Sequence, residues 1–116
     1  WNHRFLKDIH QKEIEKINKK YKKNYNYGDR RFNYKKLLNK EKSLTNVSKI
    51  SQRFIIKMKK SDIIKAWKSH GTLKRNCKNI NQFHKIINNI SLYLKSIKKN
   101  YVEVPYDNVA YIARLK

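Results

Sequence analysis

The sequence predicts an all-α protein, with a long basic N-terminal helical arm at residues 1–58 and a small three-helix C-terminal globule at residues 59–116. Three observations favour this fold class. The chain of 116 residues has only two glycines and one proline, so little interrupts long helices. Apolar residues in several segments recur at steps of three or four, as they do on one face of a helix. No segment has a strand pattern of comparable strength.

The predicted arm contains two helices separated by a bend. From about residue 4 to 23, apolar residues recur among lysines at roughly helical spacing. Residues 24–32 interrupt that pattern with Asn, Gly and Asp, which are common in turns. A second helix is expected over residues 33–59, where seven apolar residues follow one another at steps of 3, 4 or 7. Its apolar stripe is too narrow to bury much surface, so we expect a partner outside the chain to stabilise it.

The first two helices of the predicted globule are marked by residues that cap helices. Ser61 can accept hydrogen bonds from the free amides of a first turn, and Asp62 complements the positive helix end. We expect this helix to end near Gly71. The next helix is expected between Asn79–Asn81 and Lys98–Asn100. Its apolar residues step by 4, 3, 4 and 3 along one face: Phe83, Ile87, Ile90, Leu94 and Ile97.

Pro105 predicts the start of a third helix in the globule. Its ring presets the backbone angle of a first helical turn, where the missing N–H is not needed. Trp67 could stack on a base, but its helical spacing from Ile63 and Ile64 favours a place in the core. The globule is expected to pack through Trp67, Phe83, Ile87, Ile90, Leu94 and Ile112.

The charge of the chain indicates a polyanionic partner. Lys and Arg number 30 against 8 Asp and Glu, which gives a net charge of +22. Self-repulsion of that size opposes compaction unless a polyanion neutralises it. Residues 1–60 carry +14 (19 − 5) and residues 61–116 carry +8 (11 − 3), so both halves are expected to meet this partner.

Basic residues occur in three clusters, and aromatic residues lie among the first two. Phosphates attract the cations, and exposed aromatic rings can stack on unpaired bases at about 1–3 kcal/mol per base. The alternative for these clusters is a solvated basic face with tyrosines packed on the second helix. The residues expected to bind RNA are Lys19, Lys20, Lys22, Lys23, Tyr27, Arg30, Arg31, Tyr34, Lys35, Lys36, Lys57, Lys59, Lys60, Lys98 and Lys99.

The sequence does not predict an enzyme, a metal site or a cofactor. The four histidines are scattered, with no Cys or carboxylate at the spacing of metal ligands. Cys77 has no evident orienting partner, and as the single cysteine it cannot form an internal disulfide. Glu13 and Glu15 are two positions apart, so on a helix they point in different directions and cannot act as an acid–base pair. Every hydrophobic stretch is shorter than a membrane span.

Three segments, in order along the chain, resemble the bacterial-type large-subunit ribosomal protein number twenty family. Tyr27–Lys35 is similar to the family's Tyr-Gly-Arg-Lys stretch and the aromatic and basic residues after it. Lys59–Trp67 resembles its Arg-Lys-Arg-Asp-Phe-Arg-Arg-Leu-Trp, with the same Asp-to-Trp spacing. Tyr106–Ala113 is similar to its His-Asp-Lys-Val-Ala-Phe-Ala-Ala. The resemblance covers about residues 25–116.

The resemblance implies a structural protein of the large subunit of an organelle ribosome, mitochondrial rather than plastid. In the family, a long basic helical arm threads between ribosomal RNA helices, and an all-helical C-terminal domain docks on the RNA and helps the subunit assemble. The implied partners are large-subunit rRNA and neighbouring large-subunit proteins. No membrane, small-molecule substrate or cofactor is expected.

Two alternatives follow from the same residues. The first is a fragment of an organelle helical-repeat RNA-binding protein, in which residues 61–115 would form one helical pair and the start of another. The second is a basic amphipathic protein on an anionic membrane surface, which requires a broad apolar face; residues 4–23 offer only a thin one.

Overall fold

The chain folds as a mixed α/β protein, so the all-α prediction is wrong. The structure is a computed structural model, and it describes residues 2–21 and 32–116. A three-stranded antiparallel sheet of order β1-β3-β2 lies against a layer of helices. The elements in chain order are β1 (Asn2–Arg4), α1 (Ile9–Tyr21), α2 (Tyr34–Leu38), β2 (Leu44–Lys59), α3 (Lys60–Lys68), α4 (Gly71–Asn76), α5 (Ile80–Ser96) and β3 (Tyr101–Leu115).

The sheet is built mainly from β2 and β3, which pair over almost their whole lengths. The ladder runs from the pair Leu44 and Leu115 to the pair Lys59 and Tyr101, with one irregularity between Thr45 and Ser48. The helices α3, α4 and α5 lie between these strands in the sequence. The short β1 pairs with the other edge of β3, so β3 is the central strand.

The arm helix expected over residues 33–59 is instead the five-residue α2 followed by the strand β2. The apolar residues of this segment fit steps of 3 and 4, but from residue 49 to 59 all of them except Ile55 also fall at even-numbered positions, on one face of a strand. Phe54 and Met58 are half-buried on one face, whereas Lys49 and Lys57 are exposed on the other. The segment forms a strand because β3 provides a cross-strand partner for every residue from 49 to 59.

The helix expected from Pro105 is also wrong, because this residue lies inside β3. Val102 and Val104 are buried and alternate with the exposed Tyr101 and Glu103, which is the pattern of a half-buried strand. The carbonyl of Pro105 accepts a hydrogen bond of 3.0 Å from the backbone N–H of Phe5. The N and O atoms of one strand residue point to the same side, so the missing N–H faces the end of β1 and leaves the β2 ladder intact. A strand at 101–115 also removes the start of the second helical pair that the helical-repeat alternative requires.

The helix predicted from Ser61 and the helix predicted from Asn79–Asn81 are both present. Helix α5 begins after Asn79, whose side chain accepts a hydrogen bond from the N–H of Gln82, and ends at Ser96. Helix α3 covers the predicted segment, although Ser61 lies inside it instead of capping it. Gly71 is the first residue of α4, not the end of α3. Helix α1 occupies the middle of the predicted 4–23 helix.

The core lies between the helical layer and one face of the sheet. Trp67 is 3% exposed and packs with Phe83, Ile87, Ile90 and Leu94 of α5, all buried as predicted. Strand β3 adds Val102 and Val104, and α1 adds Ile14.

Ile112, predicted as a core residue, is 50% exposed. It lies near the far end of the β2–β3 ladder, beyond the region that the helices cover. The expected boundary between residues 58 and 59 falls where β2 meets α3, and strands from both sides of it form one sheet.

Candidate nucleic-acid interface

The structure describes ten of the fifteen residues predicted to bind RNA. The other five lie outside the described residues: Lys22, Lys23, Tyr27, Arg30 and Arg31. Of the ten, Lys19 and Lys20 are exposed in the last turn of α1. Tyr34, Lys35 and Lys36 belong to α2. The remaining five lysines lie together at one end of the sheet.

These five lysines form what we call the basic end: Lys57, Lys59, Lys60, Lys98 and Lys99. The last residues of β2 pair with the first residues of β3, and this pairing brings distant parts of the chain together. Lys57 and Lys99 line the same surface groove, which has a volume of about 520 Å³. The ammonium group of Lys60 donates a hydrogen bond to the carbonyl of Ile97, next to Lys98. Four of the five side chains are exposed and available to a polyanion, and Lys60 is half-buried.

An exposed tyrosine lies at the centre of the basic end. Tyr101 is 43% exposed, and the Nζ atom of Lys57 is 5.2 Å from the centre of its ring. Lys59 is its cross-strand partner. A ring with cations on two sides suits a nucleotide, because the base can stack on the ring while the phosphate meets the ammonium groups.

Strand alternation places two further cations on the same face of the sheet. Four cations of β2 occupy odd-numbered positions and therefore lie on the face opposite the core: Lys49, Arg53, Lys57 and Lys59. We call this surface the basic face. Lys49 and Arg53 were missed as candidates because each is an isolated basic residue outside the clusters of Lys and Arg. The period-two pattern of residues 49–59 is the signal that identifies them.

One carboxylate, Asp107, neutralises the middle of the basic face, and a second, Glu103, lies at the basic end. The Nε atom of Arg53 is 2.8 Å from a carboxylate oxygen of its cross-strand partner Asp107, and this hydrogen bond raises the pKa of Arg53. The guanidinium carbon of Arg53 lies 3.5 Å from the centre of the Phe5 ring. Glu103 is the cross-strand partner of Lys57. The middle of the face is therefore close to neutral, and the five lysines of the basic end outnumber the carboxylate of Glu103 beside them.

The far end of the basic face is a second group of cations and aromatic rings. Tyr111 is the cross-strand partner of Lys49, and its ring centre is 5.9 Å from that of Tyr34. Tyr34 in turn lies 4.8 Å from Phe32, and Lys35 and Lys36 are exposed beside it. Lys57 lies eight positions after Lys49 on β2, which corresponds to about 26 Å along the strand. The predicted residues therefore form separate groups, not one continuous patch.

A histidine–tyrosine pair lies at the groove beside the basic end. The Nδ1 atom of His10 is 2.7 Å from the hydroxyl oxygen of Tyr93, and His10 lines the groove together with Lys57. Burial raises the pKa of Tyr93, and the negative charges of Glu13 and Asp8 raise it further. The hydroxyl therefore keeps its proton and can hold the imidazole in place.

Other chemistry is not evident in the described part of the chain. Residues 2–21 and 32–116 contain no group of three or more His, Cys, Asp or Glu side chains that could hold a metal ion. Within the same residues, no helix has the length and apolar character needed to cross a membrane.

Comparisons with protein-family models, curated proteins and solved structures find no match to this chain. Its function is therefore argued from the chemistry of its own surface.

Proposed function

We propose that this chain is a structural RNA-binding protein of a ribonucleoprotein particle, without catalytic activity. The observation that carries the proposal is the basic end, where Lys57, Lys59 and Lys99 lie beside the exposed ring of Tyr101. A net charge of +22 gives a long-range attraction to a polyanion, and the arrangement at Tyr101 gives that polyanion a place to bind.

The particle we propose is the large subunit of an organelle ribosome, a mitochondrial one. This part of the proposal rests on the three ordered segments that resemble the ribosomal protein number twenty family. Lys59–Trp67 lies mostly in helix α3, whereas Tyr106–Ala113, helical in that family, lies in strand β3. The resemblance is thus one of sequence alone, because the all-helical architecture that it implies differs from the mixed α/β fold of this chain.

Matched variants test whether the basic end binds RNA. The triple variant Lys57→Gln, Lys59→Gln and Lys99→Gln removes three charges there. The control Lys12→Gln, Lys85→Gln and Lys95→Gln removes three exposed charges from α1 and α5. We expect the first variant to bind single-stranded RNA roughly tenfold or more weakly at low salt, with a log–log salt slope less negative by about 2. The control should retain most of the affinity, and equal losses in both variants would contradict a defined interface.

Sedimentation tests the identity of the particle. The native protein is followed by immunoblotting through a gradient of organelle lysate at moderate salt. We expect it to sediment with the large ribosomal subunit and to leave that fraction after ribonuclease treatment. Sedimentation with another ribonuclease-sensitive particle would retain the RNA-binding proposal and refute the ribosomal one.

A further inference from the structure

The outer edge of β2 is a backbone surface that no other strand covers in the described part of the chain. In the sheet order β1-β3-β2, this strand of 16 residues has a partner on one side only. Between Lys49 and Lys57, no described residue outside β3 forms a hydrogen bond with the backbone of β2. Such an exposed edge is a template on which another chain can add a strand.

The register of the sheet fixes which backbone groups point outward at this edge. The carbonyl of Pro105 points towards the N–H of Phe5, away from β2. Backbone groups alternate in direction along a strand, so Tyr106 directs its N–H and C=O towards its partner Phe54 in β2. Arg53, one residue before Phe54, therefore directs its own groups away from β3. The residues with outward N–H and C=O groups are Lys49, Ser51, Arg53, Ile55 and Lys57.

The same odd-numbered residues carry the side chains of the basic face, which disfavours pairing with a second copy of the chain. An antiparallel pair of β2 strands centred on Arg53 would place Arg53 opposite Arg53 and Lys49 opposite Lys57. Like charges that are directly opposite destabilise a strand pair, whereas opposite charges stabilise it. Lysines on an edge strand also protect it against self-association. A strand with carboxylates on this face therefore fits the edge better than a second β2 does.

The side chains on the other face of this edge include exposed apolar residues. Ile50 is 53% exposed and Ile56 is 41% exposed, and both lie on the face opposite the lysines. An added strand would place alternate side chains beside them, and apolar side chains there would remove Ile50 and Ile56 from water. Arg53 is already paired with Asp107, so carboxylates are required only opposite Lys49 and Lys57. The edge therefore matches an extended segment in which carboxylates alternate with apolar residues.

We propose that the outer edge of β2 binds an extended acidic segment of a partner protein by strand addition. Main-chain hydrogen bonds to the outward groups hold the segment, and its pattern of side chains makes the binding specific. The inference goes beyond the proposed function, since it adds a protein partner and uses backbone groups that phosphate binding does not require. Lys57 belongs to the basic end as well as to this edge, so the test separates strand addition from general attraction to positive charge.

Two N-methylated peptides provide that separation. Each has about eleven residues, alternates Glu with Val and carries a fluorescent label, and this length spans Lys49 to Lys57. When the Glu side chains face these lysines, the Glu N–H groups point towards β2 and the Val N–H groups point away. The first peptide is N-methylated at its central Val residues and the second at its central Glu residues, so their charges are identical. We expect the second to bind at least about tenfold more weakly, because it loses hydrogen bonds to the edge.

Matched variants at Ser51 test the same contact from the side of the protein. Ser51→Pro removes one outward N–H without changing the charge, and the ladder with β3 does not use this N–H. Ser51→Ala loses the same hydroxyl but keeps the N–H. We expect the Val-methylated peptide to bind Ser51→Pro about tenfold more weakly than Ser51→Ala, because the proline ring also obstructs the added strand. Urea denaturation shows whether both variants are folded.

The outcomes separate an acidic strand from a second copy of the chain. Equal binding of the two peptides by the native protein would overturn the proposal, as would equal binding of the Val-methylated peptide by the two Ser51 variants. If Ser51→Pro does not fold, the two peptides decide the question on the native protein alone. A native dimer that becomes monomeric in Ser51→Pro, measured by sedimentation equilibrium, would assign the edge to a second copy and refute the acidic partner.

Titration with single-stranded RNA separates this inference from the proposed function. We expect Ser51→Pro and Ser51→Ala to bind RNA equally, because lysine side chains hold the phosphates. A loss of RNA affinity in Ser51→Pro alone would assign the edge to RNA and refute the strand partner. RNA binding without a difference between the peptides would refute this inference and leave the proposed function standing. A difference between the peptides without RNA binding would refute the proposed function and support the strand partner.

Discussion

At the scale of single residues, α1 turns a row of polar side chains into the protein interior. Gln11, Glu15 and Asn18 are all at most 4% exposed, at positions that lie on one face of the helix. Gln11 lines a cavity of about 290 Å³ beside Trp67, whereas Asn18 does not line it. Asn18 is fully buried, and neither its Oδ1 nor its Nδ2 atom has a hydrogen-bond partner among the described residues. An amide that is buried without a hydrogen-bond partner costs stability.

Replacing Asn18 by leucine should therefore stabilise the protein. The side chains have similar shapes, and the substitution removes a desolvation penalty of about 1–3 kcal/mol. Urea denaturation should show a free energy of unfolding higher by an amount of that order. Asn88→Leu, at an exposed position of α5, is the control and should change stability by less than about 0.5 kcal/mol. A loss of stability in Asn18→Leu would mean that the amide is hydrogen-bonded in the folded protein.

Tyr93 should make the stability of the protein depend on pH in the alkaline range. Burial, with the charges of Glu13 and Asp8, raises its pKa above the ordinary value of 10.0. The folded state therefore holds this proton more tightly than the unfolded state. The contribution of Tyr93 is complete below pH 10.0 and is lost as the pH rises through the folded-state pKa.

The measurement is the free energy of unfolding of the native protein and of Tyr93→Phe between neutral pH and the alkaline range. Because Tyr93→Phe also removes the hydrogen bond to His10, the two curves differ at neutral pH. The difference should shrink above pH 10.0, since only the native protein loses the Tyr93 contribution there. A difference that stays constant across this range would contradict a raised pKa.

At the scale of elements, local signals identified the helices but not the strands. Asn79 caps α5 within its own segment, so its effect can be read from neighbouring residues. The strand β2 has no such signal, because Ile50, Phe54 and Met58 fit a helical stripe as well as they fit one face of a strand. Its partner β3 begins 42 positions after β2 ends, and this non-local pairing decides between the two periods.

The residues of the candidate RNA-binding site could likewise be predicted from local signals, whereas their arrangement depends on non-local pairing. The lysines of the basic end were identified from local charge, and their convergence comes from the pairing of Lys59 with Tyr101. Lys49 and Arg53 were missed because neither belongs to a local cluster of basic residues. The cavity beside Trp67 could not be predicted, since its lining residues come together only when β1, α1, β2, α3 and β3 pack against one another.

Substitutions on the core face of β3 test this arrangement. Val104→Thr places a hydroxyl at a position that is 3% exposed and should cost about 1–3 kcal/mol of unfolding free energy. Ile112→Thr lies on the same face but beyond the helices, at 50% exposure, and should cost less than about 1 kcal/mol. Urea denaturation of both variants provides the measurement. A larger loss of unfolding free energy for Ile112→Thr than for Val104→Thr would mean that Ile112 lies in the core, as the predicted C-terminal helix would place it.

At the scale of the whole molecule, positive charge is carried on a fold that has its own core. Helices α3 and α5 pack on β3 through a continuous apolar cluster, so part of the chain does not require RNA for its packing. The charge remains a cost: 30 basic residues against 8 acidic ones repel each other in the absence of counterions. Binding RNA relieves this repulsion and releases the counterions condensed on the phosphates.

The salt dependence of RNA binding is the measurement that tests this view. If about eight phosphates of a single strand are neutralised, the logarithm of the binding constant should fall against the logarithm of salt concentration with a slope of about −5 to −6. The titration is made by fluorescence anisotropy with a single-stranded RNA long enough to span both ends of the basic face, which lie about 26 Å apart along β2. A shorter strand should reach only one end and give a shallower slope. A slope near −1 for the long strand would mean that the charge is not used to bind phosphates, and the proposed function would fall with it.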